Sequence, residues 1–166
     1  MDRQGQFHRV RALLDSGSTT SLVSIRLATK IGFAIDETNI KTMEALGGKL
    51  ERGLGSTICI FRPRSLEISG RTEIPTKFTV MAAVVTDIHT LPPPNEKIPR
   101  DVIEEWEALE PLADPNYHRS APVDFVVAAD VLPFVFSGAR ISSTGPTGRG
   151  LSALKSIFGW VMMGRV

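Results

Sequence analysis

The stretch VRALLDSGSTTSL, residues 10–22, is the most informative part of the sequence about the fold. Residues 10–14 predict a buried strand, and Asp15 follows at its end. Gly17 permits a tight turn and leaves room for a second chain, and the Ser16 hydroxyl can donate a hydrogen bond that holds the loop. Residues 18–21 are polar and indicate a turn. The pattern predicts a carboxylate held at the end of a rigid strand.

An aspartate in such a loop is a candidate for general acid–base chemistry. Two carboxylates side by side cannot easily both ionise, so the pair shares one proton. The ionised member can deprotonate a water, and the protonated member can polarise a peptide carbonyl. The tripeptide Asp15-Ser16-Gly17 is a weak signal by itself, because an Asp at a strand end is more often a turn former. Whether Asp15 is catalytic therefore depends on the sequence around this tripeptide.

The elements after the loop come in an informative order. Residues 24–31 predict a short helix that Ser24 caps and Gly32 ends. Residues 40–54 predict a hairpin with its turn at Gly47-Gly48. Further strands are predicted at residues 56–61, 66–69, 78–85, 123–129 and 157–163. Asp130 follows the strand at 123–129 as a candidate helix cap, and residues 142–150 predict a loop rich in Gly, Ser and Thr.

Residues 86–122 differ in kind, because their many prolines fragment any strand. We expect a surface excursion that contains one helix, capped by Asp101 and packed onto the core by Trp106. Its apolar stripe comprises Val102, Ile103, Trp106 and Leu109 or Leu112. The excursion could cover a site, extend an interface or decorate the surface.

This order of features resembles the retropepsins, and most closely the peptidases of Pao/BEL-type retrotransposons. The likeness runs from about residue 10 to residue 164. The segments that carry it are LLDSGSTTSL (13–22), ALGG (45–48), LADP (112–115), ADV (129–131) and FGWV (158–161).

The resemblance implies a mainly β fold, a closed acid-protease barrel with a flap hairpin and a few short helices. It implies that Asp15 is catalytic and that Ser16, Gly17 and Ser18 form the active-site loop. It assigns the flap over the substrate to Ala45, Leu46, Gly47 and Gly48, and a structural role to Asp130 with Ala128 and Ala129. One departure concerns Ala128, where the family often has glycine; a positive φ there would cost about 1 kcal/mol or more.

The resemblance also implies a homodimer, since its chemistry needs two such loops and this chain of 166 residues has one. A twofold axis would bring two copies of Asp15 together. The last predicted strand, residues 157–163, either joins an intermolecular sheet or is a core strand within the monomer.

The composition argues against several kinds of partner and site. Lys and Arg number 19 against 18 Asp and Glu, so we expect no nucleic-acid partner. The single cysteine, Cys59, and the scattered His8, His89 and His118 give no disulfide and no metal-ligand spacing, and we expect no cofactor. No apolar run approaches the roughly 18 residues that span a bilayer. We expect one domain over residues 1–166, with 86–122 as an insertion, in the cytoplasm or within virus-like particles.

Two classes of function fit. The first is an aspartic endopeptidase that processes a retroelement Gag-Pol polyprotein as a homodimer. The second is a catalytically silent, domesticated module for dimerisation or peptide binding. A monomeric precursor that dimerises only within a larger polyprotein is also open.

Overall fold

Short strands are the main regular elements of the chain. The computed structural model describes residues 1–44, 50–63, 77–88, 98–109, 111–119, 121–142 and 150–165. In chain order its elements are β1 (Ala12–Leu14), β2 (Leu22–Ser24), α1 (Ile25–Ile31), β3 (Thr42–Glu44), β4 (Leu50–Arg52), β5 (Gly55–Phe61), β6 (Phe78–Val85), α2 (Arg100–Glu107), β7 (Phe125–Val127), α3 (Leu132–Val135), β8 (Phe136–Ser142), β9 (Gly150–Ser156) and β10 (Gly159–Arg165). The mainly β character with a few short helices is confirmed.

The described residues group into two compact units. The first contains residues 1–44, 50–62, 77–88 and 122–133. The second contains residues 98–109, 111–119, 134–142 and 150–165. The single domain over residues 1–166 stays a prediction.

A five-stranded mixed sheet forms the first unit, in the order β1-β7-β2-β6-β5. β1 runs parallel to β7, with Leu14 opposite Val127, so both strands end at the same edge of the sheet. One face carries the core, where Val23, Phe125 and Val127 are fully buried. The predicted strands at 78–85 and 56–61 are confirmed as β6 and β5, since their long apolar runs suit a buried sheet.

The prediction of a buried first strand over residues 10–14 is wrong in extent and in burial. Only residues 12–14 are strand, and the Leu13 side chain is 44% exposed. The physical reason is that β1 is the edge strand of the sheet, where one face of a short strand is left uncovered.

The predicted helix at 24–31 is confirmed as α1. The Ser24 hydroxyl accepts the Leu27 N–H at 3.2 Å, and Gly32 ends the helix in the left-handed region at φ 74°. The same hydroxyl donates to Asp124 Oδ1 at 2.9 Å, and Arg26 Nη2 lies 2.7 Å from that oxygen. This cluster joins the start of the helix to the residue before β7.

The predicted hairpin at 40–54 is present as the antiparallel pair β3 and β4, with Met43 opposite Glu51. Its predicted turn at Gly47-Gly48 lies outside the described residues, as does the predicted strand at 66–69.

The second unit contains an antiparallel sheet in the order β10-β9-β8. The sequence reading missed β8 and β9, because Gly, Ser and Ala interrupt the alternation that marks a strand. The strand predicted at 157–163 corresponds to β10, which begins at Gly159, two residues later than predicted. Residues 157 and 158 form the turn that joins β9 to β10.

Helix α2 packs on this second sheet. Trp106 is buried with Leu151 and Ala153, and Val102 and Leu109 pack against that cluster, which confirms these three members of the predicted apolar stripe; the fourth, Ile103, is half-buried. The predicted cap at Asp101 is wrong. Pro99 occupies the cap position without a side-chain hydrogen bond, and Asp101 lies in the first turn, where its charge favours the helix dipole.

Both edges of β10 are occupied at Trp160. One edge pairs with β9, and on the other the Ala113 N–H donates to Trp160 O at 2.9 Å while the Trp160 N–H donates to Pro111 O at 2.8 Å. The described strands form sheets of five, three and two strands, none of which closes on itself.

Candidate active site

The loop after β1 holds Asp15 against β7. The Asp15 N–H donates to Val127 O at 3.0 Å, which is part of the parallel pairing of Leu14 with Val127. The Ser18 N–H donates to Asp15 O at 3.3 Å and closes a tight turn. Asp15 is half-buried, whereas Ser16 and Gly17 are exposed. The backbone of Asp15 is therefore fixed at a place that solvent reaches.

The carboxylate of Asp15 is oriented by its own loop. The Gly17 N–H donates to Asp15 Oδ1 at 2.9 Å. A Cβ added to Gly17 would lie 3.3 Å from the same oxygen, closer than ordinary van der Waals contact. Glycine at this position lets the backbone approach the carboxylate and hold it by a hydrogen bond.

The residues after β7 are hydrogen-bonded to the segment that follows Asp15. The Ala129 N–H donates to Ser18 O at 2.9 Å, and the Ala128 N–H donates to the Ser21 hydroxyl at 3.1 Å. Ala128 is fully buried, and no described residue other than glycine has a positive φ. The departure from glycine at Ala128 therefore causes no backbone strain. Asp130 is exposed in the following turn, and its structural role stays a prediction.

The hydroxyl groups that stabilise the loop are those of Ser18 and Ser21. The Ser18 hydroxyl donates to Thr20 O at 2.8 Å. The part of the chain that the structure describes contains no hydrogen bond of the Ser16 hydroxyl, which was expected to hold the loop. Ser21 was missed by the sequence reading. Its one signal is a serine directly before a buried strand, where a polar group needs a partner.

An apolar surface adjoins Asp15. Side chains alternate along a strand, so Leu13 and Asp15 point to the same face. Leu13 lies opposite Val126, which in turn lies opposite Leu22. Val126 is buried, Leu22 half-buried and Leu13 exposed, so these three side chains form an apolar ledge on one face of the sheet, with Leu13 two residues before Asp15.

The candidate flap can be followed only at its base. The Gly53 N–H donates to Lys41 O at 2.9 Å, and the Leu54 N–H donates to Val84 O at 2.7 Å, so the hairpin is anchored to β6. The predicted tip residues Ala45, Leu46, Gly47 and Gly48 lie outside the described residues.

A polar pocket also lies in the first unit. It is lined by residues of β4 and of the end of β6, namely Glu51, Arg52, Val85, Thr86 and Asp87. Among the described residues, no predicted site residue lines it.

Within the described ranges, no three His, Cys, Asp or Glu side chains come close enough together to bind a metal ion. The helices in those ranges are all too short or too polar to cross a membrane.

Comparison with known proteins yields no relative. No protein-family model matches the chain, and neither curated proteins nor solved structures include a significant match. The site must therefore be interpreted from its own geometry.

Proposed function

We propose that this chain is an aspartic endopeptidase of the retropepsin type, active as a homodimer that contributes one Asp15 from each subunit. The observation that carries the proposal is the fixed carboxylate. Asp15 ends an apolar strand, receives a hydrogen bond from the Gly17 N–H and is tied through its backbone to Val127. A carboxylate held at a rigid strand end is what a paired acid–base mechanism requires.

In the proposed dimer the two Asp15 carboxylates share one proton, because like charges at contact cannot both persist. The ionised carboxylate takes a proton from a water, whose oxygen attacks the peptide carbon. The protonated carboxylate donates a hydrogen bond to the carbonyl oxygen as negative charge develops there. A proton then passes to the leaving nitrogen as the carbon–nitrogen bond breaks. Gly17 helps to align both carboxylates by holding Oδ1 in each subunit.

The substrate in this proposal is an extended segment of a retroelement Gag-Pol polyprotein. Extended peptides are held by main-chain hydrogen bonds along a strand-like path, with side chains in alternate pockets. The ledge of Leu13, Leu22 and Val126 beside Asp15 favours an apolar side chain near the cleaved bond. The β3–β4 hairpin is proposed as the flap that covers the bound segment, and the domain is proposed to be a closed acid-protease barrel.

The twofold pairing is required by stoichiometry, since the chain has one such loop. At Trp160 both edges of β10 are already hydrogen-bonded within the chain. An intermolecular sheet built on this strand is therefore proposed for residues 161–165 alone.

The test is cleavage of a Gag-Pol polyprotein from a Pao/BEL-type element, and of a library of internally quenched peptides, at mildly acidic pH. We expect inhibition by a pepstatin-type compound and activity that rises more steeply than linearly with protein concentration. Asp15→Asn is the matched control, because the amide oxygen can still accept the Gly17 N–H and preserve the loop. Its activity should be lost while folding and dimerisation persist.

Cleavage that survives in Asp15→Asn would refute the assignment of the dyad. A folded, dimeric wild-type chain that cleaves nothing would favour the silent dimerisation or peptide-binding module. Sedimentation over a concentration series distinguishes a stable dimer from a monomer that pairs only within a longer polyprotein.

A further inference from the structure

We infer that Ser21 is a positioning residue for Asp15, acting through the peptide group between Val127 and Ala128; this inference rests on the proposed function. Ser21 contributes nothing to the chemistry itself. Its role is to orient the one peptide group that holds the Asp15 backbone.

The geometry follows from the planarity of the peptide bond. The carbonyl oxygen of Val127 and the N–H of Ala128 belong to the same planar group. That carbonyl accepts the Asp15 N–H at 3.0 Å, and that N–H donates to the Ser21 hydroxyl oxygen at 3.1 Å. A rotation of this plane moves both hydrogen bonds together. Hydrogen bonds in such a chain also polarise and strengthen one another.

Burial leaves the Ala128 N–H few acceptors other than the Ser21 hydroxyl. Ser21 is 3% exposed and Ala128 is fully buried, so water cannot readily replace the hydroxyl. The backbone of Ser21 is itself anchored, because its carbonyl oxygen accepts the Ala83 N–H at 2.9 Å. Ser21 therefore transmits the position of β6 to the peptide group that supports Asp15.

Loss of the hydroxyl leaves the buried N–H of Ala128 without an acceptor. An unpaired buried N–H is costly, so we expect the peptide plane to tilt toward another acceptor. The Val127 carbonyl then tilts with it and displaces the Asp15 backbone. A displacement approaching 1 Å at a catalytic group lowers a rate by roughly 100-fold, so kcat should fall by about 10-fold to 100-fold with little change in KM.

The experiment compares Ser21→Ala with Ser24→Ala. Ser24 lies three residues further along, is equally buried, and also accepts a backbone N–H through its hydroxyl, that of Leu27 at 3.2 Å. The Ser24 hydroxyl also donates to Asp124 Oδ1 at 2.9 Å, so Ser24→Ala should lose at least as much stability as Ser21→Ala, but the fall in kcat should be confined to Ser21→Ala. The substrate is the quenched peptide that the wild-type chain cleaves best. Activity is measured where the rate per subunit no longer rises with concentration.

Two additional variants keep the test decisive. Ser21→Thr retains a hydroxyl at this position and should keep most of the wild-type kcat. Ser21→Cys retains the volume with a weaker acceptor, and replaces Ser21→Ala if that variant fails to fold. The pH profile of kcat should shift in Ser21→Ala and Ser21→Cys but not in Ser24→Ala.

Amide hydrogen exchange by NMR supplies a readout that needs no activity. Exchange at the N–H of residue 15 should accelerate in Ser21→Ala and remain slow in Ser24→Ala. The same acceleration should appear when Ser21→Ala is combined with Asp15→Asn. If the wild-type chain is active but Ser21→Ala and Ser24→Ala lose kcat equally, the positioning role is refuted while the peptidase stands. If the wild-type chain is inactive, the proposed function fails; unchanged Asp15 exchange in Ser21→Ala would then also refute the coupling.

Discussion

Replacing Gly17 by alanine separates the stability of the loop from the geometry of its carboxylate. The backbone at Gly17 is outside the left-handed region, so alanine brings no φ strain. The new Cβ would lie 3.3 Å from Asp15 Oδ1, which requires a shift of a few tenths of an ångström. Alanine also reduces the entropy of the unfolded chain, which stabilises by about 0.4–1 kcal/mol and offsets the tight contact. The free energy of unfolding should change by less than about 1 kcal/mol.

The effect on activity is expected to be larger. If a displacement of 1 Å costs about 100-fold, a shift of about 0.3 Å costs roughly fourfold at each carboxylate. Both subunits of the proposed dimer carry the change, so kcat should fall by about 15-fold. Urea unfolding and steady-state cleavage of a quenched peptide measure the two quantities on the same preparation.

Gly138→Ala is the matched control, since it should lower the stability and leave the activity unchanged. Gly138 has φ 86° with no atom within 4 Å of an added Cβ. Its replacement should cost about 1–2 kcal/mol of stability through backbone strain, with kcat per folded subunit unchanged. A Gly17→Ala protein with wild-type kcat, or one destabilised by more than about 2 kcal/mol, would refute the geometric reasoning.

Three further predictions address other parts of the chain. Gly159→Ala should destabilise by about 3 kcal/mol or more in urea unfolding, because Gly159 has φ 119° and its Cβ would lie 2.5 Å from Pro111 O; a loss below about 1 kcal/mol would contradict the close approach. Burial raises the pKa of the Cys59 thiol to about 12, and the side chain is 2% exposed, so labelling by a thiol reagent at pH 8 should proceed only as fast as unfolding. The pKa of Asp36 is lowered mainly by the hydrogen bond from the Thr38 hydroxyl and next by the one from the Thr38 N–H. This carboxylate therefore contributes stability above its unfolded pKa, and that stability is lost as pH falls through the lower folded value. Thr38→Ala should move the pKa of Asp36 up toward its ordinary value in a carboxyl NMR titration, and an unmoved pKa would show that the hydroxyl is not the cause.

Local sequence patterns predicted the elements whose causes are local. The cap at Ser24 and the left-handed Gly32 delimit α1 by hydrogen bonds within one helical turn of each end. The run at 78–85 is a strand because its long apolar sequence suits a buried position in a sheet. Asp15 and Gly17 also belong here, since the hydrogen bond between them spans two residues.

Patterns failed at some element ends and where a distant partner decides the outcome. At the start of α2 the error is local, because Pro99, two residues before Asp101, occupies the cap position. Gly159 passes close to a residue 48 positions away, since a Cβ added to it would lie 2.5 Å from Pro111 O. No local feature of residues 157–163 shows that approach.

The sequence by itself determined the mainly β character, the position of the candidate carboxylate and the residues that turn the chain around it. These follow from side-chain size, backbone freedom and hydrogen bonds between near neighbours. Only the tertiary structure decided what supports that carboxylate. The hydrogen bond between Ser21 and Ala128 joins residues 107 positions apart, and the Asp15 N–H finds its acceptor on Val127 through strand pairing. Such contacts depend on which strands become neighbours, a choice made by burial of the whole sheet rather than by any local pattern.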